Sequence, residues 1–125
     1  MTYRFQARPV RSLIRVTYAG INPLDNILVE RLTVTSKYPF VLGVDFAGIV
    51  ERAPAGELSL RAGERVFGMA RTHGAYAEYT AVAPGVKTEP LARIPDGVTD
   101  EQAAALPIAG ITALRSHELL GVTPG

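Results

Sequence analysis

The chain contains no cysteine, so neither a disulfide framework nor a thiolate metal centre can form. Only two histidines, His73 and His117, are present, and without several carboxylates beside them they cannot make a zinc site. Charge of one sign is also lacking. Thirteen Lys and Arg face twelve Asp and Glu, which leaves +1 and no electrostatic footprint for nucleic acid. No run of about 18 apolar residues exists, so no membrane-spanning helix is expected. Met1 to Arg11 lacks the apolar middle section of a secretory signal. The expected setting is therefore reducing and cytoplasmic. Among catalytic motifs, G-x-S-x-G, the phosphate-cradling loop and H-E-x-x-H are all missing. So is G-x-G-x-x-G between a strand and a helix, and with it a nucleotide-binding unit.

What remains is enough for one domain. The 125 residues are 47% hydrophobic and 20% charged, and a chain of this size buries roughly two-thirds of its unfolded surface on folding. Twelve glycines and nine prolines point to many turns and hence to short strands.

Residues 1–12 read as a poorly tied terminus carrying Arg4, Arg8 and Arg11. Leu13 to Tyr18 is β-branched and aromatic, a strand that Ala19-Gly20-Ile21-Asn22-Pro23 interrupts. A short helical turn is expected from Asp25 as N-cap, then a polar loop over 33–38. Phe40 to Val50 is almost continuously apolar. Two glycines and four β-branched residues within it predict a strand with a bulge or a close backbone approach. Gly56 to Gly63 reads as a turn and Arg65 to Gly68 as a short strand. Another strand begins at Gly74, with Ala75, Ala77, Tyr79 and Ala81 on one face and Tyr76, Glu78 and Thr80 on the other. Residues 84–97 read as a connection. The character then becomes helical: Thr99 and Gln102 have capping-box spacing, and Ala103–Leu106 continues a helix that Pro107 stops or kinks. A second helix runs from about Ala109 to Leu120, closed by Gly121. Strands come first and helices last, without βαβ alternation or internal repeat.

Six short motifs follow one another: RVTYAGINPLD (15–25), LGVDFAGIVE (42–51), AGERVFG (62–68), GAYAEY (74–79), IPDGVTDEQAAALPIAGITA (94–113) and LLGVTPG (119–125). In this order the chain resembles the N-terminal catalytic domain of the medium-chain dehydrogenase/reductase superfamily, nearest to its zinc-free quinone oxidoreductase branch. The resemblance implies a GroES-like partly open β-barrel over 13–98, mainly β, with a C-terminal helical segment over 99–125. It also implies a Rossmann domain that binds NADPH or NADH and is absent from the chain. The first strands that the family places before Leu13 are mostly missing, and the chain stops where the first Rossmann strand is expected. The implied reaction is hydride transfer to a quinone or to an α,β-unsaturated carbonyl, with a small-molecule substrate, no nucleic acid or membrane partner, and room for a homodimer. A non-catalytic binding or oligomerisation module of the same fold is the alternative.

Zinc-dependent relatives place Cys after the first strand and Gly-His-Glu in the next motif. Here those places hold Asn22 and Gly43-Val44-Asp45, and a neutral amide and an aliphatic side chain are poor zinc ligands, so no metal is expected. Asn22 taken alone reads as a turn residue before Pro23. The resemblance makes it the candidate that orients a substrate carbonyl or the nicotinamide ribose, and so both a catalytic and a cofactor-binding residue. Asp45 has two readings, a carboxylate at the floor of a cleft or an acceptor for backbone amides near Gly43 and Gly48. Thr112, expected at the start of the last helix, is implied to contact the nicotinamide end of the cofactor, with Ile108 and Gly110 lining the same cleft. Asp25 and Glu64 are expected to be structural. Ile27 stands where many quinone oxidoreductases carry a tyrosine. Tyr76 and Tyr79 are expected to pack, while His73 and His117 are expected to be solvated.

Overall fold

A computed structural model describes residues 11–35, 40–54, 60–70, 74–83 and 85–122. The expectations for residues 1–10 and 36–38, for Gly56, for His73 and Pro84 and for residues 123–125 lie outside them. Eight elements follow in order: β1 (Ser12–Ala19), α1 (Pro23–Thr35), β2 (Asp45–Arg52), β3 (Arg65–Met69), β4 (Tyr79–Val82), β5 (Leu91–Arg93), α2 (Asp100–Ala104) and α3 (Pro107–Leu120). The strands form one sheet in the order β4-β1-β2-β3-β5, and every pairing is antiparallel. The sheet is open, not closed, which is the mainly β, GroES-like architecture with C-terminal helices expected from the sequence.

Strand β2 is the middle of this sheet, and its two-residue alternation divides the core. Phe46 and Val50 join Ile14, Val66 and Val82 in one buried cluster. Ala47, on the opposite face, joins Ile94, Ala103 and Ala104 beneath α2. The glycine between them has a definite task. A Cβ on Gly48 would fall 2.3 Å from the Arg15 carbonyl oxygen of the neighbouring strand and 2.8 Å from Ile14 Cγ2, so β1 and β2 close up only because nothing is there.

The short helix α2 is held by polar groups at its entry. Thr99 and Gln102 form the predicted capping box. The pairing of β1 with β2 slips at Thr17. The Thr17 hydroxyl stands 2.7 Å from Asp100 Oδ2 and 3.2 Å from the Ala47 carbonyl oxygen. The Arg65 guanidinium donates to Asp100 Oδ1 from the other side (2.8 Å from Nε). A second tie is buried: Glu89 accepts from the Ala83 N–H (2.8 Å) and pairs with Arg11 (3.1 Å), joining the entry of β1 to the stretch that leads from β4 to β5.

Several sequence expectations are corrected. Helix α1 is thirteen residues long and includes residues 33–35. It begins at Pro23, whose fixed φ suits a first helical position. Asp25 is therefore its third residue, not its N-cap. Strand β2 starts at Asp45 and runs to Arg52, because the residues before it bond elsewhere: Ala70, Ala75 and Tyr76 donate to the carbonyls of Val44, Gly43 and Leu42. That exchange also takes Ala75 and Tyr76 away from β4, which is confined to Tyr79–Val82. Its buried residues are Thr80 and Val82, while Tyr79 is 46% exposed. Strand β5 lies inside the expected connection, three residues that pair with β3. Pro107 starts α3 instead of ending α2, and Gly121 closes α3 in the left-handed region as expected (φ 63).

Two glycine substitutions separate these roles. Gly48→Ala is expected to destabilise the chain by about 3 kcal/mol through overpacking against β1. Gly110→Ala, where a Cβ meets Leu106 only at 3.7 Å inside α3, is expected to stabilise it by about 0.5–1 kcal/mol. Urea unfolding of both variants checks the pair, and equal effects would contradict the packing described.

Candidate functional site

Asp45 opens β2 and shares a face with Ala47, the face covered by the helices, not the one lined by Phe46. It is completely buried. Its Oδ2 accepts two hydrogen bonds at 3.0 Å, one from the Asn22 side-chain amide and one from the backbone N–H of Ile108. Ile108 is the second residue of α3, and the first N–H groups of a helix have no partner within it. The positive end of α3 thus meets a carboxylate, a favourable arrangement electrostatically. Asp45 Oδ1 is buried without a hydrogen-bond partner. Burial raises the carboxyl above the ordinary aspartate range. The donors from Ile108 and Asn22 work against that rise, and the nearby Asp25 charge adds to it.

Asn22 reaches Asp45 because the turn between β1 and α1 is tightly held. The Gly20 N–H donates to the Asp45 carbonyl oxygen (3.0 Å). A Cβ on Gly20 would fall 2.5 Å from the Ala104 carbonyl oxygen, so α2 approaches this turn at its backbone. The Asn22 N–H donates to Asp25 Oδ2 (2.7 Å), while the Asp25 N–H donates back to the Asn22 carbonyl (2.9 Å). Asp25 is nearly fully buried, and it serves as the acid of the first helical turn that reaches back to the chain before it. Its expected structural role is met by a different geometry from the N-cap.

The structure therefore brings Asn22 and Asp45 together. The backbone amide that Asp45 binds is that of Ile108, not one near Gly43 or Gly48. Thr112 lies elsewhere. It is exposed in the second turn of α3, as the sixth residue of the helix, so the unpaired N–H groups of that start lie at Ile108 and not beside it. Four residues separate Thr112 from Ile108, which puts both on one side of the helix. Gly110 is on another side. With Leu106, Ile111 and Leu114 it faces Phe67 and Leu91 across an apolar groove of about 350 Å³. Gly110 and Thr112 thus do not share a cleft. The groove was not foreseen, although Pro107, Gly110, Ile111 and Leu114 have the i, i+3, i+4, i+7 spacing that marks it. Ile27 is 48% exposed on α1 and His117 is exposed on α3. Glu64 is structural as expected: it accepts from the Arg61 N–H (2.8 Å) and pairs with Arg93 (3.1 Å), and these donors lower its pKa.

Among the described residues no group of three or more His, Asp or Glu side chains is placed to hold a metal. In the same residues no helix is long and apolar enough to cross a membrane.

An open five-stranded antiparallel sheet with a buried carboxylate where it meets the trailing helices defines a GroES-like domain. Residues 8–96 match the alcohol dehydrogenase GroES-like domain, and the chain belongs to that family, as an N-terminal domain of the medium-chain dehydrogenase/reductase superfamily. It is 32% identical over 102 residues to the quinone oxidoreductase of Sus scrofa, covering 81% of this chain and 30% of that protein. It is 33% identical over 115 residues to the trans-enoyl reductase FMN2 of Fusarium mangiferae, covering 91% of this chain and 29% of that one. Among solved structures, Escherichia coli quinone oxidoreductase complexed with NADPH superposes with a TM-score of 0.75 at 26% identity, over 93% of this chain and 35% of the other. The chain thus spans about a third of the length of these relatives.

The raised carboxyl of Asp45 has a signed consequence. Its proton is held more tightly in the folded chain, so the stability it contributes is fully present below the ordinary aspartate value, about 3.9, and is lost as pH rises through the folded value. Asp45→Asn removes that dependence. Urea unfolding between pH 4 and 7.5 is expected to show the unsubstituted chain losing stability relative to Asp45→Asn as pH rises. A difference independent of pH would contradict the assignment.

Proposed function

We propose that this chain is the substrate-side domain of a zinc-independent oxidoreductase that reduces a quinone, or the β-carbon of an α,β-unsaturated carbonyl, at the expense of NADPH or NADH. The observation that carries this reading is the Asn22–Asp45 pair anchored on the first turn of α3. Asn22 stands where the resemblance places a Cys ligand in zinc-dependent members, Val44 stands where it places the His, and the pair offers an amide and a fully buried carboxylate instead. The relatives named above, a quinone oxidoreductase, an enoyl reductase and a structure with NADPH, support the same class of chemistry.

The bound nicotinamide would supply the hydride. This chain would supply position and polarity. One N–H of the Asn22 amide is engaged by Asp45, which leaves the other N–H and the carbonyl oxygen for a reactant. The N–H suits a substrate oxygen on which negative charge develops, and the carbonyl suits a ribose hydroxyl. Asp45 fixes the amide so that no reorientation is needed during the reaction. Thr112, exposed one turn beyond Ile108, would contact the nicotinamide end. Contacts to the pyrophosphate and adenosine fall outside these 125 residues, and a cytoplasmic setting belongs to the same reading.

The test uses the halves of the cofactor. Reduced nicotinamide mononucleotide, titrated into the chain at millimolar concentration, is expected to shift the NMR signals of Asn22 and Thr112, and NADPH is expected to bind no more tightly. Micromolar NADPH binding, stoichiometric zinc uptake, or shifts confined to other residues would overturn the reading. In a polypeptide that also carries the nucleotide-binding portion, Asn22→Ala is expected to lower kcat/KM about 10²-fold.

A specific feature favours a second reading, the non-catalytic docking or oligomerisation module. The groove beside β5 is apolar, and α3 exposes Leu114, Leu119 and Leu120 by 61%, 81% and 77%; patches of this kind mark interaction sites. Light scattering decides: a defined oligomer without nicotinamide binding supports the module, and a 13.4 kDa monomer that binds the mononucleotide supports the domain of a reductase.

A further inference from the structure

Tyr76 belongs to no strand and to neither buried cluster, yet it is fixed at several points. Its N–H donates to the Leu42 carbonyl (2.9 Å), and the neighbouring Ala75 N–H donates to that of Gly43 (2.8 Å). Its ring lies against the backbone of Gly43, where a Cβ would fall 2.3 Å from ring atom Cδ1. Gly43 has φ 92, a conformation that favours glycine as well. At the far end, the hydroxyl donates to the Gly20 carbonyl oxygen at 3.3 Å. An aromatic kept only for packing, the role expected from its place in the sequence, needs no partner for its polar end. Tyr76 instead leaves 39% of its surface exposed and directs its polar end to a turn 56 residues earlier in the chain.

That turn is the one that carries Asn22. Gly20 donates its N–H to the Asp45 carbonyl, and Asn22 follows two residues later with its amide on the Asp45 carboxylate. The hydroxyl therefore ties the 74–76 segment to the piece of backbone linking Asn22 and Asp45. We propose, building on the oxidoreductase reading, that Tyr76 is a positioning residue whose hydroxyl, acting through the Gly20 carbonyl, holds the Asn22 amide on Asp45. Two titratable groups face this hydroxyl, Asp25 and Asp45. Burial first, then hydrogen bonding with the Asp25 carboxylate and its charge, and last the charge of Asp45, push the phenol up to about 12. It therefore stays protonated, and able to donate, throughout the neutral range. Without the hydroxyl the turn loses its tether to the 74–76 segment, and Asp45 Oδ2 keeps its Ile108 donor while the Asn22 amide is freed.

Tyr76→Phe removes the hydroxyl and keeps the ring. NMR of the folded variant is expected to show the Asn22 side-chain amide protons exchanging with water about tenfold faster, roughly the factor for one hydrogen bond. The Asp45 carboxyl, having lost a donor to its charged form, is expected to titrate higher than in the unsubstituted chain. A folded Tyr76→Phe chain with unchanged exchange and an unchanged Asp45 midpoint would overturn the proposal. In the unsubstituted chain the Tyr76 ring carbons are expected to titrate near 12. Failure of nicotinamide mononucleotide to bind would sink the reductase reading and leave these results standing. An unchanged Asn22 amide in Tyr76→Phe would sink the role of Tyr76 and leave the reductase reading intact.

Discussion

A carboxylate with no access to water has to find its donors within the protein, and Oδ2 of Asp45 finds them in two directions at once. One donor comes from the turn after β1 and the other from the start of α3. A buried acid lacking either would carry an uncompensated cost. The position of the helical segment relative to the sheet and the position of Asn22 relative to both therefore depend on one oxygen atom. Hydrogen bonds to a charged acceptor are among the stronger ones in proteins, so a single residue at the head of β2 holds a turn 23 residues before it and a helix start 63 residues after it.

The rest of the architecture makes that meeting feasible. Gly48 lets β1 approach β2, Gly20 lets the end of α2 approach the turn, and the Thr17–Asp100–Arg65 cluster orients α2 above Ala47. The other face of the sheet, filled by Ile14, Phe46, Val50, Val66 and Val82, supplies hydrophobic stability without entering the site.

Much of this was legible in the residues. The β-branched run of β1, the capping box of α2 and the closing glycine of α3 each carry a local physical signature, and each appears where expected. Motif order pointed to the open barrel and to Asn22 and Asp45. What escaped depends on contacts distant in sequence. Residues 40–44 look like strand because they are apolar, but the carbonyls of Leu42, Gly43 and Val44 are taken by the N–H groups of Tyr76, Ala75 and Ala70. Strand β5 is too short to show a period and exists because β3 offers it an edge. Pro107 can end a helix or begin one, and only the carboxylate waiting for the Ile108 amide favours the second. Tyr76 looked like a packing residue, since no local pattern reports a hydroxyl meeting a carbonyl 56 positions away.

The central claim is that the Asn22 amide, held on a buried acid, faces the reactants. A crystal structure of this chain with reduced nicotinamide mononucleotide tests it most directly. The account predicts the Asn22 amide about 3 Å from the nucleotide ribose or from a bound carbonyl oxygen, with its contact to Asp45 intact. A nucleotide bound elsewhere, or Asn22 turned away from both Asp45 and the ligand, would contradict it.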